Sequence, residues 1–118
     1  MLSPAARAPI EPGILPVCNA LNACVGVRTV WSCEGHPWRL VPSKPYVIFT
    51  APQSFSFQLH QQLLPAYDDG RLTFSWELHA RFQDDGNLIY WLSPNDWRRR
   101  ITKQELLRLA LLIETKCT

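Results

Sequence analysis

The spacing of hydrophobic positions changes several times along the chain, and each change marks an element. Ile14, Val17, Cys18, Leu21 and Val25 recur at helical intervals with Asn19, Asn22 and Ala23 between them, which predicts an amphipathic helix. Gly13 and Pro16 suit its start, and Gly26 stands where a left-handed residue ends a helix. On this reading Cys18 belongs to the buried stripe and Cys24 lies at its edge. Val27, Thr29 and Trp31 then alternate with Arg28 and Val30, so a strand is expected over 27–32, and Pro37 forbids a further ladder donor.

Residues 34–45 contain Gly35, Pro37, Pro42 and Pro45 and read as a loop. Tyr46, Val47, Ile48 and Phe49 form an unbroken apolar run, which predicts a strand buried on both faces and central in its sheet. Phe55, Leu59 and Leu63 fall four apart, so a helix is expected over 53–64, ended by Pro65. After the turn at Asp68, Asp69 and Gly70, residues 71–82 alternate throughout. Leu72, Phe74, Trp76, Leu78, Ala80 and Phe82 form the core face of this strand, and Arg71, Thr73, Ser75, Glu77, His79 and Arg81 the wet one. Asp84, Asp85, Gly86 and Asn87 make a hairpin turn, from which Leu88 to Leu92 returns antiparallel. Near the C-terminus, Thr102 and Glu105 have capping-box spacing, and Ile101 with Leu106 forms a hydrophobic staple. Leu106, Leu109, Ala110 and Ile113 give the helix that follows its buried stripe, widened by Leu107, Leu111 and Leu112. The order is α-β-β-α-β-β-α, which predicts an α+β fold with a four-stranded antiparallel or mixed sheet packed by three helices.

A length of 118 residues fits one domain, with 47% apolar and 19% charged residues. Pro4, Pro9, Pro12 and Pro16 crowd the start, so residues 1–12 are expected to be a mobile leader and 13–118 the domain. Twelve Lys/Arg against ten Asp/Glu leave a net charge of +2, a weak field that neither demands nor excludes a nucleic-acid partner. The chain has no run of about 20 apolar residues and its leader lacks an apolar segment, so a cytoplasmic protein without membrane association is expected. Four cysteines in a chain able to build its own core suggest free thiols.

Candidate chemistry gathers where the first strand ends, at Ser32, Cys33, Glu34, Gly35 and His36. Cys18, Cys24, Cys33 and His36 are four zinc-type ligands, but Cys18 and Cys24 fall on nearly opposite sides of a helix and there is no Cys-x2-Cys knuckle. Buried, inert cysteines are the preferred reading, and no metal is expected. Cys33 with His36, His60 or His79 as its base would be a nucleophile pair only if the fold brought them within reach. A third possibility is nucleic-acid or anion binding through Arg28, His36, Arg39, Lys44, His79, Arg81 and the cluster Arg98, Arg99 and Arg100. Trp97 and Trp38 lie in loop-like surroundings suited to stacking, whereas Trp31 and Trp76 read as core. The sequence contains no dinucleotide-binding glycine motif, no phosphate-binding loop and no serine nucleophile elbow.

The segment from Leu21 to Gly35 resembles the start of the wybutosine-synthesising tRNA methyltransferase-like family, in which a helix with Leu-Asn leads through a short strand and a Thr to a Ser-Cys-x-Gly loop. The resemblance implies an α+β fold and S-adenosylmethionine-dependent methylation of a tRNA guanosine, with Thr29, Ser32, Cys33 and Gly35 as the matching positions. It covers about an eighth of the chain. Trp31 stands where the family has a second serine, Glu34 replaces a small residue, and His36 replaces a basic one. The expected function is therefore a small non-enzymatic binding module for a protein or nucleic acid, such as an inhibitor or accessory protein of a phage or mobile element. It needs no cofactor, and it uses the 32–36 loop and the arginine cluster near Trp97. A nucleotide- or S-adenosylmethionine-binding enzyme is the alternative.

Overall fold

The computed structural model describes residues 9–36, 43–95 and 100–115. The elements are α1 (Leu15–Asn22), β1 (Arg28–Cys33), β2 (Tyr46–Thr50), α2 (Gln53–Asp68), β3 (Trp76–Phe82), β4 (Leu88–Pro94) and α3 (Lys103–Thr115). The order is the α-β-β-α-β-β-α expected of the sequence. The strands form one sheet in the order β1-β2-β4-β3, with every neighbouring pair antiparallel. The unbroken apolar run of β2 holds an inner position, and Val47, Ile48 and Phe49 are all buried.

One face of the sheet carries the helices. Val47, Phe49, Tyr90 and Leu92 share a single core with Val17 and Leu21 of α1, Leu59 and Leu63 of α2, and Leu109 and Ile113 of α3. Phe49 stacks on Tyr90 and meets Phe55 of α2 edge to face.

Four sequence expectations are corrected here. Helix α1 stops at Asn22, earlier than its apolar spacing predicts, and Val25 is 95% exposed. Asn22 is diverted: its side-chain oxygen accepts the Thr29 N–H at 2.8 Å and its amide donates to the Thr29 hydroxyl at 2.9 Å. Pro65 does not end α2, which runs one turn further to Asp68 with Ala66 buried. Pro65 and Gln61 are exposed, so the carbonyl that loses its helical donor is open to water, and the missing bond costs little.

The third correction concerns the long alternating run, of which only Trp76–Phe82 is strand. Its first half is held by Glu105. The Thr102 hydroxyl caps the Glu105 N–H at 3.2 Å as expected, but the Glu105 carboxylate does not return to Thr102. It accepts from the backbone N–H groups of Thr73 and Phe74 at 2.9 Å each and from the Trp76 indole at 3.0 Å, while only 1% exposed. A carboxylate taking two consecutive amides removes them from any strand ladder. Beyond the helices, the expected core positions Ala80 and Phe82 are exposed.

The fourth correction is to the thiols. Cys18 and Cys33 are free, whereas Cys24 is disulfide-bonded, a state typical of oxidising compartments rather than of reduced ones. Cys117 lies outside the described residues, as do the leader up to residue 8, Trp38 and Arg39. No helix among the described residues is long and apolar enough to cross a membrane.

Candidate functional site

Strand β1 lies at the edge of the sheet and contains a bulge. Thr29 pairs with Phe49, but Trp31 pairs with Ile48, so Val30 is an extra residue. Side chains alternate along a strand, and an inserted residue exchanges the two faces beyond it. Before the bulge, Val27 and Thr29 point into the core and are buried. After it, Trp31 turns outward and is 38% exposed, which corrects its expected place in the core; Trp76 is buried as expected. Ser32 now faces α1, where its hydroxyl hydrogen-bonds the Cys18 thiol, and burial pushes the Cys18 pKa up.

Cys33 shares the outward face, and the loop beyond it curls back on the thiol. Gly35 adopts a φ of +88°, and its N–H donates to Cys33 Sγ at 3.4 Å. A Cβ at Gly35 would also lie 3.0 Å from the Pro45 nitrogen and 3.2 Å from the Ser43 carbonyl oxygen, so both conformation and space require glycine. His36 is fixed by a two-residue bridge, its N–H donating to the Ser43 carbonyl at 2.9 Å and receiving the Ser43 N–H on its own carbonyl at 3.4 Å.

The third member comes from the leader. Glu11 accepts the Glu34 N–H on Oε1 at 3.0 Å, and its Oε2 lies 3.3 Å from His36 Nε2. Carboxylate, thiol and imidazole thereby converge, with one ligand atom of each of Glu11, Cys33 and His36 within 4.8 Å of the others. Sequence reasoning missed Glu11 because the neighbouring prolines marked it as leader, and no local pattern links it to a loop more than twenty residues away. The Glu34 carboxylate lies against Gly13, where a Cβ would sit 2.8 Å from Oε2. The other histidines are remote from this chemistry: His60 is exposed on α2, and His79 pairs with Glu77 at 3.1 Å. Cys18 and Cys24 do not join Cys33 and His36. The Gly35 N–H is engaged by the thiol itself, so it is not offered to a substrate oxygen.

Arg100 is exposed and lines a cleft with Gly13, Glu34, Gly35, Thr102 and Lys103, so this member of the arginine cluster does meet the predicted loop. Arg28 does not, because it stands at the opposite end of β1 from Cys33. Trp97, Arg98 and Arg99 lie outside the described residues.

Arg28 instead borders the face of the sheet opposite the helices. Register sets Trp31 beside Ile48, Ile48 beside Trp91, and Trp91 beside His79, a row crossing all four strands. Tyr46 stacks on Trp91 with ring centroids 5.8 Å apart, and the Arg81 guanidinium lies 5.9 Å from the Trp91 ring centroid. Ile48 is buried here although it lies outside the main core, because these rings cover it. Tyr46 and Trp91 carried no sequence signal of this kind, since both sit in runs that read as buried strands. Comparison with protein-family models, with curated proteins and with solved structures finds no match for this chain.

Proposed function

We propose that this protein is a small non-enzymatic binding module that takes single-stranded nucleic acid on the open face of its sheet. The observation that carries the reading is the row of Trp31, Tyr46 and Trp91 on a face that no helix among the described residues covers, with Arg81 over the Trp91 ring and Arg28 at its border. Bases stack on aromatic rings whatever their sequence, and arginines beside the rings contact the connecting phosphates. A strand-paired scaffold holds the rings in fixed positions, so little side-chain freedom is lost on binding. A net charge of only +2 implies that stacking, rather than a broad basic field, supplies much of the affinity.

The test is fluorescence anisotropy of labelled single-stranded RNA and DNA over a salt series, followed in parallel by tryptophan quenching. Binding is expected to weaken with salt, since each phosphate contact releases counterions. Trp31→Ala and Trp91→Phe should weaken it by about 1–3 kcal/mol for a lost stack, with the smaller loss for the aromatic replacement. Arg28→Ala and Arg81→Ala should each lower the salt slope by about one. Absence of binding at low salt, or affinity indifferent to Trp31→Ala, would overturn the reading.

A further inference from the structure

The geometry points to a transition-metal site, best suited to zinc, formed by Glu11, Cys33 and His36. It is independent of the nucleic-acid reading, using different residues at the end of β1. The donor set is one thiolate sulfur, one imidazole nitrogen and one carboxylate oxygen. Hard cations such as calcium and magnesium prefer shells made of oxygen, whereas zinc takes all three donor types.

Distances agree with a small tetrahedral shell. Zinc bonds of about 2.0–2.3 Å set neighbouring ligand atoms roughly 3.3–3.8 Å apart. Glu11 Oε2 and His36 Nε2 are already 3.3 Å apart, which is one edge of such a tetrahedron, and all three ligand atoms lie within 4.8 Å of one another. Closing the remaining edges requires a side-chain adjustment of about 1 Å, within the reach of Cys33 and Glu11 rotations.

The backbone around the trio is arranged for ligation. Cys33 and His36 are separated by two residues, and the left-handed Gly35 folds that short segment so that both side chains serve one point. The Gly35 N–H, 3.4 Å from Cys33 Sγ, holds the sulfur on the side of the loop where His36 lies. The Glu34 N–H holds Glu11 Oε1 and leaves Oε2 for the cation. The Ser43 bridge fixes His36. Three protein ligands leave a fourth coordination position for water or for an incoming donor. The His36 and Glu11 side chains are 12% and 34% exposed, so the cation enters from the Glu11 side. On binding, Zn2+ forms a bond to each ligand atom, and the Cys33 thiol proton passes to solvent.

Cobalt substitution is the direct test, because Co2+ bound to a thiolate gives a near-ultraviolet charge-transfer band. The full chain, stripped with chelator, should bind one Co2+ with that band, and Zn2+ should displace it. Cys33→Ser should abolish the band, although the free Cys18 thiol remains. His36→Ala and Glu11→Gln should each weaken zinc binding by about tenfold or more, the loss seen even for outer partners of a metal ligand. Circular dichroism of each variant should remain that of the parent, and zinc should raise the thermal midpoint of the parent alone. No charge-transfer band, a band that survives Cys33→Ser, or zinc affinity unchanged in both His36→Ala and Glu11→Gln would overturn the site and leave Glu11 and His36 as an ion pair.

Discussion

Glu11 and Glu105 each reach across the molecule to take backbone N–H groups from a distant segment, yet they occupy opposite regimes. Glu105 is 1% exposed, and its two oxygens accept three donors from residues 73, 74 and 76. Glu11 is about one-third exposed, accepts one amide, pairs with the His36 imidazole at 3.3 Å and has the Cys33 thiol within 4.8 Å. A fully satisfied buried carboxylate has no capacity left for a ligand, and its role is to hold the entry to β3 in place. A partly exposed one, holding a single amide and an imidazole beside a thiol, can exchange its partners.

The largest expected effect breaks the first member of that comparison. Glu105→Ala should cost about 3 kcal/mol or more, because the buried Phe74 amide and Trp76 indole N–H and the part-buried Thr73 amide lose their acceptor together. Denaturant unfolding should show the fall as a lower midpoint at unchanged slope, and a loss under about 1 kcal/mol would mean that water had replaced the carboxylate. Glu105→Gln retains one acceptor oxygen and should fall between the two proteins.

Gly35→Ala comes next. Forcing a side chain into a left-handed residue costs about 1–2 kcal/mol, and the new methyl would also press on the backbone of Ser43 and Pro45. The expected result is a lower thermal midpoint together with weaker zinc binding. Glu11→Gln sharpens the contrast from the other side: the side chain is one-third exposed and as glutamine keeps an oxygen for the Glu34 N–H, so stability should stay near that of the parent while metal affinity falls. If Glu11→Gln destabilised the protein as much as Glu105→Gln, the two carboxylates would be alike and the distinction would fail.

The smallest effect concerns the two free thiols. Burial raises the Cys18 pKa, so little of its thiolate forms at neutral pH, and Cys33 should be alkylated first in the native protein. Mass spectrometry after brief iodoacetamide treatment would resolve the order, and Zn2+ should slow modification at Cys33 without affecting Cys18. Labelling of Cys18 before Cys33 would contradict the burial argument.

Element order and type were legible in the sequence because periodicity reports burial directly, as at β2 and in the α3 stripe. Misread boundaries arose where a polar group at a distance outcompeted the local pattern. Glu105 captured the amides of Thr73 and Phe74, and Asn22 that of Thr29. The strand-end loop from Ser32 to His36 was legible because its residue types are unusual for a turn. Its partner Glu11 was not, since contact between a leader and a loop leaves no periodic trace. The aromatic row was hidden for a different reason: alternation assigns a face only while the register is unbroken, and β1 breaks it.

That break has a genetic corollary. Val30 behaves like a single-codon frameshift written in space, with odd-numbered positions serving the interior upstream of it and the solvent downstream. Deleting that one codon would leave Trp31 beside Ile48 and Cys33 beside Tyr46 in a regular ladder, so the indole and the sulfur would still face outward and Ser32 inward. What a single in-frame deletion would remove is the extra bend and twist of the edge strand, without altering any other residue of the chain.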